Sequence, residues 1–218
     1  MKLLLTSGGL LNDSIIDSLK KLAVKPLGEL RLGYIPTAAN IEEGDKGWLI
    51  EDLEICKKLN FRSIDIIDIS AISQDMFKKR LEETDIILVG GGNTYHLMCW
   101  IKKSGLEEML PELLKSRIYV GVSAGSVVAG PSLVLADSEK EEAANAGDEI
   151  YDEGLSLVDF IVEPHLNSPY FPEQTFDYVE KESERIKHSV YALDDNSAVQ
   201  VTDGEVTVVS EGNWKKFN

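Results

Sequence analysis

The pentapeptide Gly121-Val122-Ser123-Ala124-Gly125 is the stretch of this sequence best suited to covalent chemistry. A serine flanked by small residues, where a strand turns sharply into a helix, exposes its Oγ as a nucleophile. The apolar run Ile118–Val122 supplies such a strand, and Ala124–Ala129 a helix. The N–H of Ala124 then points from the helix start toward a developing oxyanion. A second glycine run, Gly90-Gly91-Gly92-Asn93-Thr94, directly follows the apolar segment Ile86–Val89. Its backbone N–H groups at Gly91 and Gly92 are expected to complete the oxyanion hole, with Asn93 and Thr94 contacting substrate. A nucleotide phosphate loop fits less well, because G-x-G-x-x-G spacing and a P-loop lysine are both absent.

A serine nucleophile needs a base, and the chain has three histidines. His188 sits among charged residues. His96 falls early in the helix expected after the glycine run, where packing is the simpler role. His165, in Val162-Glu163-Pro164-His165-Leu166-Asn167, is held by a preceding proline in a segment able to fold over a sheet edge. On residue type and position His165 is the stronger candidate base, and His96 stays open as the alternative.

These groups must be positioned by elements, and the periodicity supplies them. Short apolar runs at Leu3–Thr6, Leu32–Ile35, Ile64–Ile69, Ile86–Val89 and Ile118–Val122 read as buried strands. Amphipathic stretches at Ser14–Leu22, Leu49–Leu59, Met76–Leu81, Thr94–Lys102 and Leu106–Leu114 read as helices, the last kinked or restarted at Pro111. Strands alternating with helices predict a doubly wound, mainly parallel α/β sheet covered on both faces. Ligands in such sheets sit beyond the carboxyl ends of the strands. Thr6-Ser7-Gly8-Gly9, Pro36-Thr37-Ala38 and the two glycine motifs all lie at those ends.

After Ala129 the pattern changes. Residues 137–153 are acidic and aperiodic and read as an excursion or lid, and Pro172–Ile186 reads as a charged surface helix. Val190–Leu193, Ala198–Val201 and Val206–Val209 are strand candidates, the last two joined by an Asp203-Gly204 hairpin turn. No repeat or linker divides the chain, so residues 1–218 are read as a single domain.

With 218 residues, 43% hydrophobic and 28% charged, the composition is that of a globular chain. A net charge of -16 argues against nucleic acid as a partner. No run approaches the ~18 apolar residues of a membrane span, and Leu3–Leu5 is too short for a signal peptide core. Two cysteines, Cys56 and Cys99, in apolar helical patterns read as buried thiols of a reducing compartment. The protein is accordingly expected to be cytoplasmic, a monomer or homodimer, with no membrane partner.

Together, Gly90-Gly91-Gly92-Asn93-Thr94, Gly121-Val122-Ser123-Ala124-Gly125, Pro164-His165 and Ile35-Pro36-Thr37-Ala38 resemble the peptidase E family of serine peptidases, which includes alpha-aspartyl dipeptidase and cyanophycinase. The resemblance spans about residues 3–209. It implies a three-layer sandwich like that of class I glutamine amidotransferases (flavodoxin-like), with serine in place of their cysteine. It implies Ser123 as nucleophile and His165 as base, no metal or organic cofactor, and a small peptide as substrate. For the triad acid the resemblance favours Asp195, in the turn Leu193-Asp194-Asp195-Asn196, over Asp137. It also carries a departure: the arginine with which these enzymes hold an N-terminal aspartate corresponds here to Val179, with Lys181 and Arg185 the nearest cations along the same segment. Strict aspartyl specificity is therefore not expected. The serine chemistry alone would equally suit an esterase or amidase of this fold, and the fold alone a non-enzymatic binding relative.

Overall fold

A computed structural model describes all residues 1–218. Seven strands form its main sheet, in the order β3-β2-β4-β5-β1-β8-β9. They are β1 (Lys2–Thr6), β2 (Arg31–Ile35), β3 (Ser63–Ile66), β4 (Ile86–Val89), β5 (Ile118–Val122), β8 (Ser197–Thr202) and β9 (Glu205–Ser210). The first five are mutually parallel; β8 and β9 continue the sheet antiparallel through the Asp203-Gly204 turn. Both turn residues have positive φ, 51° and 91°, as a tight two-residue hairpin requires.

Strand alternation sorts the core into two layers. Leu3, Leu5, Ile87, Val89 and Tyr119 pack with α3 (Gln74–Glu82), α4 (Thr94–Ser104), α5 (Leu106–Leu113) and α6 (Ala124–Val127) on one face. Leu4, Leu32, Tyr34, Leu88 and Val120 pack with α1 (Asp13–Ala23) and α2 (Gly47–Lys58) on the other. This is the doubly wound three-layer arrangement that the apolar runs predict, because parallel strands must hide both faces. Helix α1 begins where its cap dictates, with the Asn12 side chain accepting the Ile15 N–H. Helix α4 ends at Gly105, left-handed at φ 77°, and α5 then passes through Pro111 for two more residues.

The structure adds a second sheet that the sequence pattern does not announce. It consists of β6 (Ile161–Glu163), β7 (Val190–Leu193) and β10 (Trp214–Phe217), in the order β10-β7-β6. The lysine-bearing Trp-Lys-Lys-Phe run of β10 lacks the apolar alternation that marks a strand. The charged surface helix is also shorter than the expected 172–186: α8 spans Phe176–Ser183, capped by the Thr175 hydroxyl, and Pro172 lies outside it. The acidic excursion is ordered into a 3-10 segment, Val134–Glu139, and helix α7 (Lys140–Asn145). No helix is long and apolar enough to cross a membrane. Cys56 and Cys99 are buried free thiols.

Candidate active site

Sheet register brings the site together. Thr6 pairs with Val122 across β1 and β5, so Ser7 and Ser123 emerge side by side at the carboxyl edge. Thr6 also pairs with Ala198 across β1 and β8, which sets the turn before β8, with Asp195, at the same edge. In the second sheet Glu163 pairs with Ala192, so the residues beyond β6 run beside those beyond β7. The Leu166 N–H continues that pairing onto the Leu193 carbonyl at 3.0 Å. His165 is thereby delivered to Asp195.

At Ser123 the chain turns at φ 48°, ψ -113°, between β5 and α6. The flanking glycines are steric necessities. A Cβ at Gly121 would lie 2.6 Å from the Gly125 carbonyl oxygen, and one at Gly125 would overlap the Val89 carbonyl. Ser123 Oγ lies 2.8 Å from His165 Nε2, and His165 Nδ1 lies 2.6 Å from Asp195 Oδ1. Burial alone would raise the Asp195 carboxyl, but the hydrogen bonds and charge of His165 and the Ser7 hydroxyl hold it below the usual carboxylate range. Asp195 therefore remains an anion able to accept from Nδ1, leaving Nε2 as the nitrogen that faces the serine. One face of the His165 ring stacks on Phe171, with centroids 4.1 Å apart and planes at 10°.

The backbone donors line up on the other side of Ser123. A Cβ on Gly91 would lie 3.3 Å from the Ser123 Cβ and 3.8 Å from the Trp48 ring, so that backbone abuts Ser123. The N–H groups of Gly91 and Gly92 make no hydrogen bond within the protein, whereas those of Gly90 and Asn93 bond to Ile35 and Ala38. Gly92 has φ 125°, and a side chain there would collide with the Ala38 carbonyl. The Ala124 N–H opens α6 and has no intrahelical acceptor.

Other expected site residues lie elsewhere. Asn93 and Thr94 do not reach toward Ser123: both are buried and turned inward. The Asn93 side-chain oxygen Oδ1 caps α4 by accepting the His96 N–H at 2.9 Å, and its side-chain amide donates to the Glu139 carbonyl and the Glu142 carboxylate. The Thr94 N–H donates to the Glu139 carboxylate. The expectation that these two contact substrate finds no support in these contacts: the Asn93 side chain and the Thr94 N–H are engaged by the start of α4 and by Glu139 and Glu142. Asp137, the alternative acid, accepts from Tyr95 Oη at 2.7 Å and from Lys140 at 2.8 Å, not from His165. His96, the alternative base, has its Nδ1 2.6 Å from Asp148 and is buried behind the glycine run. His188 is exposed and lies 3.2 Å from the Asp159 carbonyl.

Val179 is fully buried in a small apolar cluster with Leu135, Ile161 and Leu166. Lys181 and Arg185 are exposed, and Arg185 faces Glu182 at 3.5 Å. What gathers near the glycine run is acidic. Burial, with Glu42 and Glu142 nearby, pushes the Glu139 carboxyl up to about 7, and burial raises Glu163 well above the usual range. No three His, Cys, Asp or Glu side chains converge to hold a metal ion. A cavity of about 330 Å³ lies at the opposite end of β2 and β3, lined by Arg31, Arg62, Asp65, Arg80 and Glu83. Arg80 pairs with Asp65 there, and the cavity lies far from Ser123 along the strands. Ser7, Trp48 and Phe171 join the site without belonging to any of its sequence motifs. Only Ser7 carried a signal, its place in a glycine-rich loop at a strand end.

Comparison with known proteins decides the family. The model of peptidase family S51 matches residues 3–209. This chain belongs to peptidase family S51. An uncharacterized peptidase of Listeria innocua is 30% identical over 179 residues, covering 79% of this chain and 81% of that protein. Peptidase E of Streptomyces coelicolor is 36% identical over 92 residues, 41% of this chain and 35% of its own. A Listeria monocytogenes crystal structure bearing the peptidase E designation superposes with a TM-score of 0.81 at 26% identity, covering 97% and 98% of the two chains. The S51 chain is thus a peptidase with a peptidase E fold.

Proposed function

We propose that this S51 peptidase is a serine peptidase of small peptides, with Ser123 as nucleophile, His165 as general base and Asp195 as the acid that orients it. The observation that carries the reading is the contact chain Ser123 Oγ to His165 Nε2 at 2.8 Å and His165 Nδ1 to Asp195 at 2.6 Å. His165 takes the hydroxyl proton as Oγ attacks the scissile carbonyl, then returns it to the leaving amine. The N–H groups of Ala124, Gly91 and Gly92 stabilise the tetrahedral oxyanion; the two glycine donors are free of other acceptors. Water then attacks the acyl-enzyme by the same base, releasing the acid product. Phe171, stacked on the His165 ring, and Trp48, beside the Gly91 backbone, offer apolar walls to substrate.

The first residue of the peptide is not required to be aspartate. A carboxylate leaving water needs a compensating cation. The Val179 position is apolar and fully buried, and the cations nearest it along the chain, Lys181 and Arg185, are exposed. A panel of Asp-X, Ala-X, Leu-X and Asn-X dipeptides tests this through kcat/KM. The expected spread leaves Asp-X within about tenfold of the others; a preference for Asp-X of about a hundredfold would overturn the specificity. Covalent labelling by a fluorophosphonate, abolished in Ser123→Ala, tests the nucleophile separately.

A further inference from the structure

Ser7 touches all three members of the proposed triad. It follows β1 directly and is fully buried. Its carbonyl accepts the Ser123 N–H at 3.1 Å. Its Oγ accepts the His165 N–H at 2.7 Å and lies 3.0 Å from Asp195 Oδ1, the same oxygen that meets His165 Nδ1. The direction of these bonds is fixed by chemistry. The amide of His165 can only donate, so the single hydroxyl proton is committed to the carboxylate.

The two residues whose N–H groups Ser7 engages share a backbone peculiarity. Ser123 stands at φ 48° and His165 at φ 62°. Residues with a side chain hold this left-handed conformation only where their surroundings over-determine it. Ser7 is itself anchored, its N–H donating to the Ser197 carbonyl at 3.2 Å. Its neighbours leave it no slack: Thr6 Oγ1 donates to the Gly121 carbonyl at 2.8 Å, and a Cβ at Gly8 would sit 2.9 Å from the Asp195 carbonyl oxygen. The end of β1 therefore links the strand carrying the serine, the segment carrying the histidine and the turn carrying the acid.

We propose that Ser7 is a positioning residue of the peptidase reaction, holding the His165 backbone and the Asp195 carboxylate in register with Ser123. The proposal rests on the triad reading above. Ser7 contacts neither substrate nor the reacting atoms, so its loss should act on turnover and not on binding.

In the full chain, Ser7→Ala is expected to lower kcat roughly tenfold to a hundredfold while KM stays within about threefold. The same substitution in a His165→Ala background is expected to change the residual rate by less than about twofold, because the side chain it acts through is gone. If Ser7→Ala does not fold, Ser7→Cys, close in size and a weak hydrogen-bonding group, carries the same measurements. An unchanged kcat overturns the proposal, as does an equal fractional loss in both backgrounds. Parental activity in Ser123→Ala would instead overturn the triad itself, so the two failures are told apart.

Discussion

The molecule contains two histidine–aspartate pairs of the same length and opposite character. His165 meets Asp195, and His96 meets Asp148, each through Nδ1 at 2.6 Å. The first pair opens to the site, with side-chain exposures of 16% and 30%; the second is enclosed, at 7% and 6%. The distal nitrogen makes the difference. His165 Nε2 faces the Ser123 hydroxyl, whereas His96 Nε2 is buried with no hydrogen-bond partner. Asp195 lies in the turn joining the two sheets, while Asp148 lies just past α7, in the acidic excursion that covers α4. An imidazole oriented by a carboxylate is thus not yet a catalytic base; it needs a nucleophile at its other nitrogen and a route for substrate. The buried pair reads as a latch that seats the excursion on the helix after the glycine run.

The largest expected contrast is between the two histidines. His165→Ala should reduce kcat by several orders of magnitude, to the level of Ser123→Ala, because nucleophile and base act as one unit. His96→Leu should leave kcat per folded molecule within about threefold. It should instead lower unfolding free energy by ~2–4 kcal/mol, since Asp148 remains buried without its partner. Active-site titration beside denaturant unfolding separates the two effects, and a thousandfold loss of kcat in His96→Leu would break the contrast.

The acids should differ less. Asp195→Asn is expected to lower kcat by roughly a hundred- to ten-thousandfold through loss of the imidazole's orienting anion. Asp148→Asn keeps an oxygen to accept from Nδ1 and should cost about 1–2 kcal/mol of stability with little change in rate. Asp137→Asn, which loosens only Tyr95 and Lys140, should likewise leave turnover close to parental.

The smallest effect concerns pH. In the excursion, Glu139 has its carboxyl pushed up to about 7, mainly by burial, from an ordinary 4.5. Asp52, beneath the Gly9 turn, is likewise raised to about 7 from 3.8 by burial. Folding therefore binds protons between these values, so stability is greatest below about 4.5 for these groups and is lost as pH rises through 7. Asp195, held low, works oppositely, and its contribution is lost only as pH falls below the ordinary carboxylate range. The thermal midpoint should drop by several degrees between pH 5 and pH 8. Glu139→Gln and Asp52→Asn should each flatten that slope while Asp195→Asn leaves it in place. An unchanged slope in Glu139→Gln would remove the excursion from this account.

The structure agrees with the sequence on the buried strands and on the turn at Ser123. Buried strands were visible because parallel sheets demand continuous apolar runs, and the turn at Ser123 because only glycines tolerate the contacts at 121 and 125. The second sheet was not visible. β10 joins β7 through Trp214 opposite Leu193 and Phe217 opposite Val190, yet its central Lys215 and Lys216 hide any strand signature. Asn93 and Thr94 were ambiguous for a related reason. Polar side chains after a glycine run suit a ligand and a helix start equally, and only the tertiary structure shows Glu139 and Glu142 engaging them.

By itself the sequence determined the strand-to-helix turn at Ser123, the glycine run beside it, the layered α/β core and the candidacy of His165. Each follows from backbone sterics or hydrophobic period, which act over a few residues. Only the tertiary structure decided that Asp195 and not Asp137 meets His165, that His96 is sealed away with Asp148, and that Ser7 joins Ser123, His165 and Asp195. Those contacts link residues tens to nearly two hundred positions apart. They are set by strand register and by the docking of one sheet on another, which no local pattern encodes.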